Sequence, residues 1–400
     1  MQIEKKLVPK LRFREFSNDW ERVRLGKLVE IKSGISPSSY NFSEDGKYPF
    51  IKVEELNNCE KYQFQSRFYS NSSNNLIEFN SILFPKRGAA ILNNKIRISS
   101  VPLLMDSNMM ALKCDDSKLY YEFLYYKIIK EKLYRIADTS TIPQLNNKHI
   151  IPYNLFIPTL VEQQKIAKFL TAIDTRIHNL EKKKDLLEQY KRGVIQKIFK
   201  QELRFKNGDG KDFPEWKYLQ LGKLTTKTGK KNKENINYPI YSINNKEGFL
   251  PQGEQFDGMD SNERGYDISL YKVIKKNTFA YNPARINVGS IGFSGKLDDI
   301  IVSSLYVCFK TKEALEDRYL KQYLNTFQFN KDVLRFSEGG VRQYLFFENF
   351  SKIKIPLPNR MEQLKIASFV ETLDKKIALI TQQIEQSKSY RKALLQQMFV

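Results

Sequence analysis

Histidine and cysteine are scarce in this 400-residue chain, which has only His149 and His178, and Cys59, Cys114 and Cys308. The cysteines stand too far apart for a paired zinc-ligand spacing, which argues against a structural zinc site. Two histidines leave few ways to place a general base, so Ser-His-Asp and Cys-His mechanisms are disfavoured as well. No apolar run approaches the roughly 18 residues of a membrane-spanning helix, and residues 1–10 carry charges without an apolar centre. The expectation is a cytoplasmic protein without membrane contact. A G-x-x-x-x-G-K-[ST] phosphate loop is missing, and so is a glycine-rich strand-to-helix turn for a nucleotide cofactor, which argues against an ATP-driven motor.

Charge of one sign is what the chain has in excess. Its 66 Lys and Arg against 45 Asp and Glu give +21, which favours a polyanionic partner, nucleic acid first. The excess is shared, with 34 basic and 22 acidic residues (net +12) in residues 1–200, and 32 and 23 (net +9) in residues 201–400. Hydrophobic residues at 41% and aromatics at 13% supply folded cores, and the length calls for more than one domain.

An internal repeat organises those domains. Residues 158–199 align with 358–399 at a constant offset of 200, with twelve identical pairs that include Pro158/Pro358, Glu162/Glu362, Gln163/Gln363, Asp174/Asp374, Tyr190/Tyr390 and Phe199/Phe399. Weaker matches extend it: Leu11-Arg12-Phe13 with Leu203-Arg204-Phe205, Trp20 with Trp216, Leu25-Gly26-Lys27-Leu28 with Leu221-Gly222-Lys223-Leu224, and Tyr48-Pro49 with Tyr238-Pro239. From Glu162 to Lys200 there is no Pro and one Gly, which predicts one long helix. Apolar residues recur seven apart at Ile166, Ile173, Leu180, Leu187 and Val194, with Leu170, Ile177 and Ile198 between them, and the second copy repeats the pattern. That is a coiled-coil seam, with Lys184, Lys191, Ser387 and Arg391 as polar gaps that set register. The alternative is an amphipathic helix packed on its own domain.

The expected divisions are a globular part at 1–155, a helix at 156–200, a second globular part at 201–352 and a second helix at 353–400, with residues 205–214 as a polar linker. Strands are expected at 96–101 and 300–309, and amphipathic helices at 120–133 and 319–334, for an α+β fold of two mixed α/β domains.

Basic residues among turns and aromatics are the candidate contacts. The first copy offers Lys86 and Arg87 in Phe84-Pro85-Lys86-Arg87-Gly88, then Lys95 and Arg97. The second offers Arg285 in Tyr281-Asn282-Pro283-Ala284-Arg285, Lys230 and Lys231, Arg335, and Arg342 in a Gly339-Gly340-Val341-Arg342-Gln343 loop opposite Thr139 to Pro143. Such residues reach phosphates, and Arg forks onto guanine. Asn282-Pro283-Ala284-Arg285 lacks the second Pro and aromatic of a methyltransferase motif. Glu215-Trp216-Lys217 with Asp212 holds half of a metal-dependent nuclease signature, and reads better as a linker leading into a strand. Lys182-Lys183-Lys184 reads as a solvated helix face.

At this point the chain resembles the DNA specificity subunits of type I restriction-modification systems. The likeness rests on Pro158, Glu162, Gln163, Ile166 and Ala167, on Pro358, Glu362, Gln363, Ile366 and Ala367, and on the Trp20/Leu25-Gly26 and Trp216/Leu221-Gly222 openings. It implies two target recognition domains, each reading half of a bipartite, asymmetric sequence in double-stranded DNA, separated by an antiparallel coiled coil with a pseudo-twofold repeat. It also implies modification subunits that bind S-adenosylmethionine and methylate adenine, and restriction subunits that use ATP and Mg, leaving this chain without an active site or cofactor. A sequence-tolerant architectural DNA-binding protein and a nuclease are the alternatives.

Overall fold

The computed structural model describes residues 8–138, 142–245, 247–255, 258–340 and 343–400. The chain forms two compact units, one of Met1–Glu181 with Gln382–Val400, the other of Lys182–Thr381. Each holds one globular part, the first half of the helix that follows it, and the second half of the other long helix.

The repeat seen in sequence is also a repeat of topology. In the first unit Glu21–Arg24 pairs antiparallel with Asn154–Ile157, and in the second Lys217–Gln220 pairs with Lys354–Leu357 in the equivalent register. The Leu-Gly that follows is held identically. Leu25 N–H donates to Tyr153 O and Gly26 N–H to Ile151 O, as Leu221 does to Ile353 O and Gly222 to Ser351 O. A Cβ on Gly26 would lie 2.8 Å from Ile151 Cα, and one on Gly222 2.9 Å from Ser351 Cβ, so close approach demands glycine at both openings.

The main sheet of the first unit runs Val29–Ser33, Met109–Cys114, Ser81–Pro85, Arg97–Ser99, Tyr62–Gln63. Its counterpart runs Thr225–Thr228, Val307–Thr311, Phe279–Tyr281, Ile291–Phe293. Ser81–Pro85 is buried along its whole length, as a short continuous apolar run at the centre of a sheet should be. Tyr121–Glu131 packs its aromatic face on the first sheet.

Two expected elements are each divided in two. Residues 319–334 fall in two helices, Asp317–Tyr323 and Phe327–Phe336, because Thr326 caps the second: its Oγ1 accepts from Phe329 N–H and donates to Tyr323 O. Residues 300–309 fall in two strands that serve different sheets, Ile300–Val302 beside Lys272–Ile274 and Val307–Thr311 beside Phe279–Tyr281.

The long helices are Leu160–Phe199 and Arg360–Gln397, and they pack antiparallel as a coiled coil. The seam positions Ile166, Leu170, Ile173 and Ile177 are buried in the first unit with Leu394 and Met398. Val194 and Ile198 are buried in the second with Ile366. Two of the four polar gaps are spanned by matching ion pairs, Arg391 with Asp174 in one unit and Lys191 with Asp374 in the other, whereas Lys184 pairs with Glu188 on its own helix. Each helix ends by inserting a phenylalanine into the aromatic nest of the other globular part. Phe399 meets Trp20 and Phe123 at 6.4 and 5.2 Å, and Phe199 meets Trp216 and Tyr323 at 6.4 and 5.3 Å. Among the described residues no helix is long and apolar enough to cross a membrane.

Candidate nucleic-acid interface

The repeated Glu-Gln at the head of each long helix is a structural bracket. Glu162, almost wholly buried, takes a two-pronged ion pair from Arg12, Nε to Oε1 and Nη2 to Oε2, both at 2.8 Å. Glu362 takes the same pair from Arg204 at 3.2 and 3.0 Å and also accepts from Trp216 Nε1 at 2.9 Å. These carboxylates hold both guanidinium pKa values above the ordinary arginine value. Gln163 Oε1 accepts from Tyr120 N–H while its Nε2 donates to Lys118 and Pro158 carbonyls. Gln363 repeats this with Glu316 N–H and the Ala314 and Pro358 carbonyls. The motif therefore fixes the head of each helix to the segment before the opening strand and to the turn that leads into Tyr121–Glu131 or Asp317–Tyr323.

In the first unit, Lys86 and Arg87 follow directly on the central strand Ser81–Pro85. Arg87 is exposed and Lys86 is half-buried. Burial first, then the Arg87 charge, pull the Lys86 pKa below the usual lysine value, against a weaker pull from Asp106. Lys95 Nζ donates to Asn57 Oδ1 at 2.6 Å. Arg97 is placed differently, since its Nε donates to Cys59 O at 2.8 Å and its Nη1 to Ile96 O at 2.7 Å. Its guanidinium is engaged with the domain's own backbone.

In the second unit the candidate residues form two groups. Lys230 and Lys231 lie beyond Gly229, whose φ of +98° turns the chain out of the Thr225–Thr228 strand. They line a cleft of about 710 Å³ with Lys233, Lys275, Asn232 and Tyr238. The positive field registers on neighbouring Lys272: burial lowers its pKa first, and Lys227 and Lys231 push the same way, against Cys308. Arg285 is exposed at the turn after Phe279–Tyr281 and lines a separate cleft of about 600 Å³. The two clefts share no lining residue. Arg335 is exposed at the end of the Phe327–Phe336 helix, 5.6 Å from the Phe336 ring centre. Arg342 lies outside the described residues.

The composition reading did not find Lys275, which only the fold brings beside Lys230, nor the polar network around Glu122. That carboxylate accepts from Lys61 at 2.5 Å, from Tyr120 OH at 3.0 Å and from Tyr62 OH. Lys61 also reaches Thr171, and Tyr126 OH donates to Asp174 at 2.7 Å. The network carries sheet, helix and seam in one set of bonds. No sequence pattern announces it, because its members are spread over the whole unit.

Glu215-Trp216-Lys217 leads into the strand Lys217–Gln220, with the indole of Trp216 spent on Glu362. Among the described residues no group of three His, Cys, Asp or Glu is placed to hold a metal ion.

Known proteins align with this chain along nearly its full length. Among relatives, the type I restriction enzyme MjaIX specificity subunit of Methanocaldococcus jannaschii is 24% identical, covering 94% of this chain and 92% of its own. The MjaVIII specificity subunit of the same organism is 25% identical, covering 94% and 91%. Among solved structures, a type I restriction-modification S subunit from M. genitalium shares the fold with a TM-score of 0.59 at 16% identity, over 98% of this chain and 99% of that one. The HsdS subunit from Thermoanaerobacter tengcongensis does so at 0.52 and 13%, over 95% and 96%. The family model for the type I restriction modification DNA specificity domain matches twice, at residues 17–189 and 215–388, and the chain belongs to that family.

Proposed function

We propose that this chain reads a bipartite, asymmetric sequence in double-stranded DNA, one half-site per globular part, and directs adenine methylation or restriction by partner subunits. The observation that carries the reading is that two units with a shared core topology and matching helix brackets present different basic surfaces. The first has Lys86 and Arg87 at its central turn, and the second has Arg285 at the same turn together with a lysine-lined cleft. One scaffold with two faces suits two different half-sites. On this reading the chain acts in the cytoplasm and is not itself an enzyme. Modification subunits bind S-adenosylmethionine, restriction subunits bind ATP and Mg, and Lys86, Arg87, Lys95, Lys230, Lys231, Arg285, Arg335 and Arg342 supply contacts to DNA.

The test is to sequence methylated motifs in cells carrying this chain with a modification partner, before and after exchanging residues 1–155 for those of a relative. One half of the motif should change while the other stays. If both halves changed together, or the motif did not depend on this chain, the reading would be wrong. Methylation or cleavage by the purified chain alone would equally count against it.

A further inference from the structure

The turn after the central strand is met in each unit by one side of an isolated antiparallel bridge. In the first unit Asp138 and Gln144 exchange backbone hydrogen bonds of 2.8 and 2.9 Å, and Leu145 N–H donates to Lys86 O. In the second Glu338 and Tyr344 exchange bonds of 2.9 and 2.7 Å, and Leu345 N–H donates to Pro283 O. The bridges correspond residue for residue at the offset of 200. Leu145 and Leu345 are buried, so the residues on either side of each leucine face away from the core.

Those flanking residues differ in kind. The first unit has Gln144 and Asn146, and Asn146 joins His149 in a capping box at the start of Asn147–Ile150. The second has Tyr344 and Phe346, whose rings stack in parallel, 5.8 Å apart with a 4° interplanar angle. Phe346 occupies an N-cap position, where an Asn, Ser, Thr or Asp side chain would be favoured, and makes no capping bond. It is 48% exposed, and Leu305 beside it is 76% exposed. Together with Arg285 they line the 600 Å³ cleft, and among the described residues Arg285 has no acidic partner. Phe346 thus gives up local stability and leaves apolar surface exposed beside an unpaired cation, a pattern expected where a site serves a ligand.

We propose that Tyr344, Phe346 and Leu305 form an apolar base-reading surface set against thymine methyl groups in the major groove, with Arg285 anchoring the same stretch of DNA. The proposal rests on the reading that this chain binds duplex DNA. Thymine's C5 methyl is the apolar group on the major-groove edge, and a base-reading surface that is apolar with a single cation at its rim matches it. Gln144 at the equivalent place of the first unit is an amide of the kind that pairs with adenine, so the repeat presents one backbone arrangement with two chemistries.

The test uses the full chain with its modification partner and duplexes bearing the methylated motif, each thymine replaced in turn by deoxyuridine, which lacks only that methyl. In the half-site unaffected by exchange of residues 1–155, replacement at one or two positions should weaken binding roughly fourfold, the factor for losing one buried methyl. A Tyr344→Ala/Phe346→Ala variant should bind thymine and deoxyuridine duplexes alike, and Tyr344→Gln with Phe346→Asn should alter the preferred base there. Indifference of the unmodified chain to deoxyuridine throughout that half-site, or a half-site without thymine, would overturn the proposal. So would a variant that loses affinity while the unmodified chain ignores the methyls, since the rings would then act by stacking. Absence of any sequence-specific binding is a separate result, and it removes the underlying reading instead.

Discussion

Arg87 and Arg97 carry the same charge and stand near the same sheet, yet the structure gives them different surroundings. Arg97 donates to Cys59 O and Ile96 O, so Arg97→Ala should lower the unfolding midpoint, leaving two buried-side carbonyls short of donors, at about 1–3 kcal/mol. Arg87 is exposed, so Arg87→Ala should leave stability within about 0.5 kcal/mol and weaken DNA binding with a shallower salt dependence. Denaturant unfolding and binding measured across a salt series on both variants check this, and equal effects on both readouts would contradict it. Glu362 and Glu162 differ in a parallel way. Both are buried against an arginine, but Trp216 Nε1 donates to Glu362 whereas the buried Trp20 Nε1 has no partner. Glu362→Ala should therefore cost more than Glu162→Ala, about 3 kcal/mol or above, in the same unfolding assay. Glu122 adds a pH dependence. Burial raises its pKa, but the bonds from Lys61 and Tyr62 outweigh burial and leave it below the ordinary glutamate value. A depressed folded value means that its stabilisation is present above the unfolded glutamate range and is lost as pH falls through the folded value. Glu122→Gln should flatten that acid limb, seen as a smaller drop in melting temperature between neutral and acidic pH.

At the scale of elements, the long helices were legible because their signal is long and duplicated: a seven-residue period over some 40 positions cannot be mistaken for a strand. The polar gaps at Lys191 and Arg391 were legible as positions and opaque as partners. Asp174 and Asp374 had already emerged as an identical pair, but only packing shows that each answers the other helix. The helix brackets were readable in the same partial way. Leu-Arg-Phe and Pro-x-x-x-Glu-Gln recur together, although nothing local says that Arg12 reaches Glu162 across most of a domain. The globular parts were harder to read, since short strands that change sheets give no sustained period, and the Thr326 cap interrupts an apolar pattern that otherwise continues. The ion pairs invite a double-mutant cycle. Asp174 also holds Tyr126 OH and is itself less exposed than Asp374, 23% against 46%, so the Asp174–Arg391 coupling should exceed that of Lys191–Asp374. With both pairs partly solvated, the couplings should be of order 1 kcal/mol, and Lys191→Asp with Asp374→Lys should recover what either change alone loses. Failure of the swap to recover stability would show that the seam, and not the ion pair, sets the register.

For the whole molecule, the two compact units meet the chain at Glu181/Lys182 and Thr381/Gln382, midway along each long helix. If the helices act as a spacer between half-sites, lengthening both there should lengthen the recognised gap. One added heptad in each helix keeps the seam in phase and adds about 10.5 Å, close to three base pairs of axial rise. Both half-sites should stay the same, because the turns proposed to read them lie wholly within one unit or the other. Lengthening one helix alone is the control. It places Asp174–Arg391 and Lys191–Asp374 out of step, so that one ion pair and its stretch of seam are lost whichever register is adopted. That variant should unfold at lower denaturant and assemble poorly with modification subunits. Motif sequencing on the matched variant then decides the matter: a gap longer by about three base pairs supports the helices as the measure of distance, and an unchanged gap in a stably folded protein transfers that role to the partner subunits.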